Sequence, residues 1–263
     1  MASIFANGTA ALLDRPARAI ASIGRYWLLL LRAFNVPRDL KPRLYLQNLM
    51  VQMVRTGVES IPIVALATAF TGGVTAVQAL YQLENPLLPL SLVGTFSEQA
   101  MVLELGTLVT AFVLSGRVGA RIAAELGTMR VTEQIDAMEA MGVNSLSYLV
   151  VPRVLAGVLM FPALYVISVV VGLTTSALVA QASGKLTMAF FWEGARDPFR
   201  PYDVFFGLVK SVTFGFAITS VSCYMGYYTR GGAEGVGVST TMAAVMSCVL
   251  VLLADYLCAA ILL

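Results

Sequence analysis

Long apolar segments alternate with short polar segments along most of the chain after residue 55. The apolar segments cover about residues 56–80, 99–116, 150–182, 204–228 and 240–263. Each is about as long as a helix must be to cross a hydrocarbon core, and none alternates apolar and polar positions as a membrane β-strand does. Backbone groups in lipid must be hydrogen-bonded internally, so the pattern predicts an all-α integral membrane protein with five transmembrane helices.

Glycine and proline predict irregularities within these spans. Pro62 and the Gly72-Gly73 pair indicate that span 1 is bent or broken. Span 3 is long enough to tilt or to kink at Pro162. Between spans 3 and 4, residues 183–202 are expected to include a short surface helix.

The first 43 residues are polar and basic around a short apolar core. Asp14-Arg15-Pro16 indicates a helix start, and the stretch Arg18–Phe34 mixes arginines with apolar residues as an interfacial amphipathic helix does. Its longest apolar run, Tyr26–Leu31, is too short for a signal peptide, and no small-residue cleavage site follows. We therefore divide the chain into an N-terminal interfacial helix region (1–43) and a transmembrane domain (44–263).

Composition supports this architecture and excludes several functions. The chain is 58% hydrophobic and only 12% charged, about half the charge of a soluble domain. It contains no histidine, which excludes histidine-based acid–base catalysis and histidine metal ligands. The three cysteines lie in apolar runs and are expected to be buried hydrophobes. We predict no catalytic residues, no metal site and no nucleic-acid binding.

The distribution of positive charge predicts the orientation. Lysine and arginine concentrate in residues 1–55, in the segment after span 2 and at Arg230, whereas the opposite loops contain only Lys185, Arg196 and Arg200. Positive residues favour the cytoplasmic side. The N-terminus is therefore expected in the cytoplasm and the C-terminus outside.

Residues 119–143, between spans 2 and 3, are too charged to cross the membrane. Their apolar residues recur at helical spacing with a change of face, which predicts two short helices with a bend near Gly127-Thr128. The segment is either a solvated loop or a helix that docks into a groove of a partner. The chain also lacks the G-x-x-x-x-G-K-[ST] motif, because Gly184-Lys185 is followed by Leu186, so any ATP hydrolysis requires another subunit.

Four ionisable residues lie within the predicted spans, and such residues are functional candidates by default. Glu59 is near the cytoplasmic end of span 1. From their positions, Glu104, Lys210 and Asp255 lie roughly 8, 9 and 12 Å from the outer surface at about 1.5 Å per residue. Two interpretations are open: Glu104 and Lys210 form a structural ion pair, or the three residues form a polar level that binds a lipid headgroup.

One run of residues resembles a known family. The run from Ser115 to Val143, SGRVGARIAAELGTMRVTEQIDAMEAMGV, is similar to the signature of MlaE/YrbE-type permeases, the membrane subunits of lipid-transporting ABC systems associated with MCE proteins. The resemblance covers about residues 40–263. It extends to the motifs Leu103–Gly106, Pro152-Arg153, Leu208–Val212 and Gly231–Thr241.

The resemblance implies two functional regions. Residues 119–143 would be the coupling helix that contacts the ATPase, with candidate contacts at Glu125, Gly127, Thr128, Met129, Glu133 and Asp136. Glu104 and Lys210 would line a lipid site between two permease copies. We place the acyl chains against Leu103 and Leu105, and add Asp255 because of its depth. The family often has a basic residue before the glutamate, whereas Leu103 stands here, which is expected to change headgroup preference.

These expectations define a permease that works as a homodimer with a cytoplasmic ABC ATPase and a periplasmic MCE-domain protein. It would move phospholipid at the bacterial inner membrane, with no cofactor in this chain and ATP-Mg in the partner ATPase. One alternative is an ion-coupled secondary carrier that uses Glu104, Lys210 and Asp255 as a relay, although five spans do not divide into two inverted repeats. Another is a membrane-embedded lipid-modifying enzyme, which the absence of histidine and of a clustered acid pair disfavours.

Overall fold

The computed structural model describes residues 24–33, 42–82 and 89–262. Its helices are α1 (24–33), α2 (Pro42–Thr56), α3 (Ile61–Gln82), α4 (Leu92–Gln99), α5 (Gly106–Leu114), α6 (Ala120–Val131), α7 (Gln134–Ala140), α8 (Ser145–Ala182), α9 (Met188–Arg196), α10 (Pro201–Tyr227) and α11 (Gly232–Leu262).

The described residues contain 5 helical stretches long and apolar enough to cross a membrane. They are Tyr45–Gln82, Leu92–Val131, Ser145–Ala182, Pro201–Tyr227 and Gly232–Leu262. The all-α class and the five spans are thus confirmed. The short helix expected between spans 3 and 4 is α9.

Span 1 is irregular at a different place from the one predicted. A turn at Gly57 and a 3₁₀ segment, Val58–Ser60, separate α2 from α3. Pro62 is the second residue of α3, where its missing N–H costs no intrahelical hydrogen bond. α3 continues through Gly72 without interruption. Glycine is required at this position because α3 lies against the backbone of α8, and a Cβ on residue 72 would overlap the Gly172 carbonyl. The predicted break at Pro62 or Gly72-Gly73 is therefore wrong.

Span 2 is longer than predicted at both ends. It is one helical stretch from Leu92 to Val131 with two π-helical segments, Ala100–Leu105 and Ser115–Gly119. The bend predicted near Gly127-Thr128 is wrong: Gly127 lies within α6, where its small size accommodates Thr229. The chain turns instead at Thr132 and Glu133, and Glu133 has a left-handed φ of 58°. Residues 120–131 therefore continue the helix that contains span 2, and only α7 of the segment 119–143 is a separate helix.

α8 lies at the centre of the bundle. It continues without interruption through Pro152 and Pro162 and packs against α2, α3 and α10, while α10 also packs against α6 and α11. α11 has few buried residues, and its exposed surface is apolar. Close packing of apolar side chains such as Phe161 and Phe214 stabilises the centre through van der Waals contact.

Part of the predicted N-terminal helix, Arg18–Phe34, lies outside the described residues. Residues 24–33 are helical and contact the bundle: the Tyr26 hydroxyl is 2.7 Å from the Ser220 hydroxyl, and the Ser147 hydroxyl donates to the Ala33 carbonyl at 3.0 Å. Leu29 and Leu30 are buried, whereas Trp27, Leu28 and Leu31 are exposed. α1 therefore presents apolar surface both to the bundle and away from it.

Candidate functional site

Lys210 of α10 is completely buried and joins two carboxylates from two other helices. Its Nζ is 2.6 Å from Glu104 Oε2 and 2.5 Å from Asp255 Oδ1. It also donates to the Leu103 carbonyl at 3.2 Å, and the rings of Phe206 and Phe214 lie 5.2 and 5.9 Å from it. We call Glu104, Lys210 and Asp255 the charged triad. These contacts place the three residues at one level of the bundle, as predicted, and Glu104 and Lys210 form the ion pair that was one of the two open interpretations.

The π-helical segment of span 2, Ala100–Leu105, contributes Glu104 and the backbone carbonyls around it. In a π-helix the backbone bonds reach five residues along the chain, and each carbonyl oxygen has a second lone pair that can accept a side-chain donor. The Val102 carbonyl accepts from the Tyr165 hydroxyl at 2.9 Å, and the Leu103 carbonyl accepts from Lys210. Leu103, Glu104 and Leu105 are all half-buried.

The triad presents negative charge at its surface. The side chain of Lys210 has 0% relative exposure, whereas those of Glu104 and Asp255 have 42% and 17%. The ammonium is therefore occupied by two carboxylates and a carbonyl, while Glu104 remains accessible. A bound molecule would meet a carboxylate between two leucines before it met the lysine.

The expected coupling residues divide into an inward and an outward group. Glu125 faces the transmembrane helices, where it pairs with Arg121 at 3.1 Å and Arg153 at 3.2 Å. Gly127 packs on Thr229, and Met129 packs on the core. Thr128, Glu133 and Asp136 are exposed. The outward group is the part of the segment that another protein can contact.

Glu59 also lies at the base of the bundle. Its carboxylate is 2.8 Å from Arg121 NH1 and 4.0 Å from Arg117 NH2. Arg117 and Arg121 lie at the start of the charged segment after the predicted span 2, and Glu59 lies in the 3₁₀ segment just before α3 begins. Glu59 has no contact with the charged triad among those the structure shows within the described residues.

A polar contact that the sequence did not predict holds α7 on the bundle. Glu139 Oε1 accepts hydrogen bonds from the Ser145 hydroxyl at 2.7 Å and the Tyr227 hydroxyl at 2.9 Å. These two hydroxyls, Ser145 first, hold the pKa of Glu139 below its ordinary value because they stabilise the carboxylate. The only signal in the sequence is the tyrosine-rich end of α10, which does not indicate a partner.

The fold and the site define a class: a multi-pass α-helical membrane protein with an ion-paired polar site inside its spans. The family model described as Permease MlaE matches residues 49–261. The chain therefore belongs to the MlaE permease family, as the resemblance predicted.

Named relatives cover most of the chain. A probable ABC transporter permease protein of Rickettsia bellii is 38% identical over 92% of this chain and 93% of its own length. The protein TRIGALACTOSYLDIACYLGLYCEROL 1, chloroplastic, of Arabidopsis thaliana is 37% identical over 84% of this chain and 63% of its own length. The intermembrane phospholipid transport system permease protein MlaE of Haemophilus influenzae is 32% identical over 81% of this chain and 82% of its own length.

Proposed function

We propose that this chain is the permease subunit of an ABC transporter that moves phospholipid between the bacterial inner membrane and a periplasmic MCE-domain carrier. A separate cytoplasmic ATPase with ATP-Mg supplies the energy, and the N-terminus lies in the cytoplasm. The observation that supports this most strongly is the charged triad, in which an accessible Glu104 stands between two leucines inside a membrane span.

The exposure of Glu104 favours a homodimer. A charged group in contact with hydrocarbon costs a few kcal/mol on the membrane-insertion scale, so a carboxylate with 42% exposure requires a polar or enclosed surrounding. A second copy placed against this face would enclose a cavity at the level of the triad. The apolar surface of α11 at Val249, Leu252 and Tyr256 is suited to line it or to pack against the second copy.

The triad favours a headgroup whose accessible charge is positive. Lys210 is already bound to two carboxylates, so the amine of a zwitterionic headgroup would contact Glu104, and Asp255 would share the charge. Acyl chains would lie against Leu103 and Leu105. The family often has a basic residue at the position of Leu103. The leucine in this chain supplies no positive charge beside Glu104, so the accessible carboxylate keeps its negative charge.

The exposed surface from the end of α6 through α7 is the proposed contact for the ATPase. Thr128, Glu133 and Asp136 are exposed there, whereas Glu125 and Gly127 hold the rest of α6 on the bundle. Closure of two ATPases would move the coupling helices, and the permease would respond through differential lipid affinity between its conformations.

A photo-crosslinking experiment tests the lipid site. A photoreactive residue replaces Leu103 in the purified permease–ATPase complex in nanodiscs, and a matched control replaces Val166, an exposed apolar residue of α8. We expect more phospholipid adducts at residue 103 than at residue 166, and an effect of ATP on the yield at 103 only. Equal yields that do not respond to ATP would contradict the proposed site.

The charge balance of the triad also favours a second candidate, an ion-coupled secondary carrier. Two carboxylates face one ammonium, so the site formally lacks one positive charge, which a proton or another cation can supply. This carrier would transport an amphiphile in liposomes that contain the chain alone under an ion gradient. Transport that requires both the ATPase and ATP would exclude it.

A further inference from the structure

Hydrogen bonds among three side-chain oxygen atoms connect α7 to α8 and α10. Glu139 is near the end of α7, Ser145 is the first residue of α8 and Tyr227 is the last residue of α10. Both hydroxyls donate to the same Glu139 oxygen, and the two hydroxyl oxygens are 2.8 Å apart. Hydrogen bonds to an ionised acceptor are among the stronger ones, so the contact resists separation of the three helices.

Tyr227 also contacts α6, the helix that precedes α7 in the chain. Arg130 of α6 lies over the Tyr227 ring at 5.9 Å and pairs with Asp136 of α7 at 2.6 Å. Ile135 of α7 is fully buried in the same core. Tyr227 therefore contacts both residues that make polar contacts between α7 and the helices described here: Glu139 through a hydrogen bond, and Arg130 through its ring.

The helix that ends at Tyr227 also contains the ammonium of the charged triad. α10 continues without a break from Pro201 to Tyr227, so Lys210 and Tyr227 are 17 positions apart, roughly 26 Å along the axis at 1.5 Å per residue. Near Tyr227, the backbone of α10 lies directly against the backbone of α6. The approach is so close that a Cβ on Gly226 would be only 2.8 Å from the Ala123 carbonyl oxygen. A displacement of this end of α10 is therefore expected to move the whole helix.

We infer that Tyr227 and Glu139 are positioning residues that transmit a displacement of α7 to α10, and through α10 to Lys210. The inference rests on the proposed function, since an ATPase must displace α7. Directional bonds suit this role better than apolar contact, because the hydroxyl and the carboxylate must move together to keep their geometry. Neither residue contacts the lipid site, so each acts on transport through Lys210.

Replacement of one hydroxyl tests the inference. Tyr227→Phe keeps the ring under Arg130 and removes only the donor to Glu139, while Tyr228→Phe is the control, because the Tyr228 ring packs on Tyr224 and Tyr227 without a hydrogen bond within the described residues. The full permease–ATPase complex is purified for each variant. Three quantities are measured: ATPase recovered with the permease, ATP hydrolysed, and phospholipid transferred per ATP.

We expect Tyr227→Phe to retain the ATPase and to lower the phospholipid transferred per ATP by about tenfold, the lower end of what the loss of a hydrogen bond to a charged group predicts. Glu139→Gln keeps an acceptor oxygen and should give an intermediate value, and Tyr228→Phe should match the wild type. An unchanged ratio in Tyr227→Phe, an equal fall in Tyr228→Phe, or loss of the ATPase from Tyr227→Phe alone would overturn the inference. Absence of the ATPase from the wild-type chain would instead refute the proposed function.

Discussion

Removal of the ammonium from the charged triad is the most direct perturbation of the site. Lys210→Met keeps an unbranched side chain of similar length, so it removes the charge with little change of volume. Glu104, Asp255 and the Leu103 carbonyl then lose the donor that the structure shows within 3.2 Å of each. Breaking a buried ion pair by removing one partner costs about 3 to 5 kcal/mol.

The loss of stability is measured by thermal denaturation of the purified protein in detergent. For a chain of this size we expect a fall in Tm on the order of 10 °C. The neutral combination Lys210→Met, Glu104→Gln and Asp255→Asn removes the uncompensated carboxylates, so it should recover most of the stability and none of the transport. Arg200→Met, in an exposed position just before α10, is the control and should leave Tm unchanged. A Tm of Lys210→Met equal to that of the wild type would refute the reasoning.

Three further predictions concern the helix contacts and the coupling segment. Gly72→Ala should destabilise the chain by a few kcal/mol, because the new Cβ would overlap a backbone carbonyl of α8. Gly73→Ala is the control: the atom nearest to a Cβ there is 3.5 Å away, so this variant should be tolerated in the same denaturation assay. The pKa of the Glu139 carboxyl is lower in the folded protein than its ordinary value. The ionised carboxylate therefore contributes fully to the stability of the fold above the ordinary pKa, and this contribution is lost as the pH falls through the lowered pKa. Glu139→Gln should therefore reduce hydrogen-exchange protection of α7 at pH 7, and its difference from the wild type should vanish once the pH falls below the lowered pKa of Glu139. Glu133→Lys should reduce recovery of the ATPase with the permease, while Glu193→Lys on α9 should not; equal recovery in both would contradict the docking surface.

The helices and the level of the charged triad could be predicted because both depend on distance along the chain. Long apolar segments have few alternatives in lipid, and depth follows from the rise per residue. The sequence alone therefore places Glu104, Lys210 and Asp255 at one level. Which of them would be buried was not predictable, because burial depends on how each helix is rotated about its axis.

The irregular parts of span 2 could not be predicted for a different reason. Sequence patterns assume 3.6 residues per turn, so a π-helical segment such as Ala100–Leu105 has no periodic signal. Gly127 suggested a bend, but packing against Thr229 uses the same small side chain inside a helix. The bond from Tyr227 to Glu139 joins residues 88 positions apart, and no local pattern indicates such a contact.

The central claim is that the chain transfers phospholipid through Glu104 only when an ATPase drives it. The most direct measurement is transfer of labelled phospholipid by the complex purified from native membranes, with its proteins and lipids identified by mass spectrometry, for the wild type and for Glu104→Gln. The account predicts an ABC ATPase in the complex, ATP-dependent transfer by the wild type, and loss of both transfer and bound phospholipid in Glu104→Gln. ATP-independent transfer by the chain alone, or full transfer by Glu104→Gln, would contradict it.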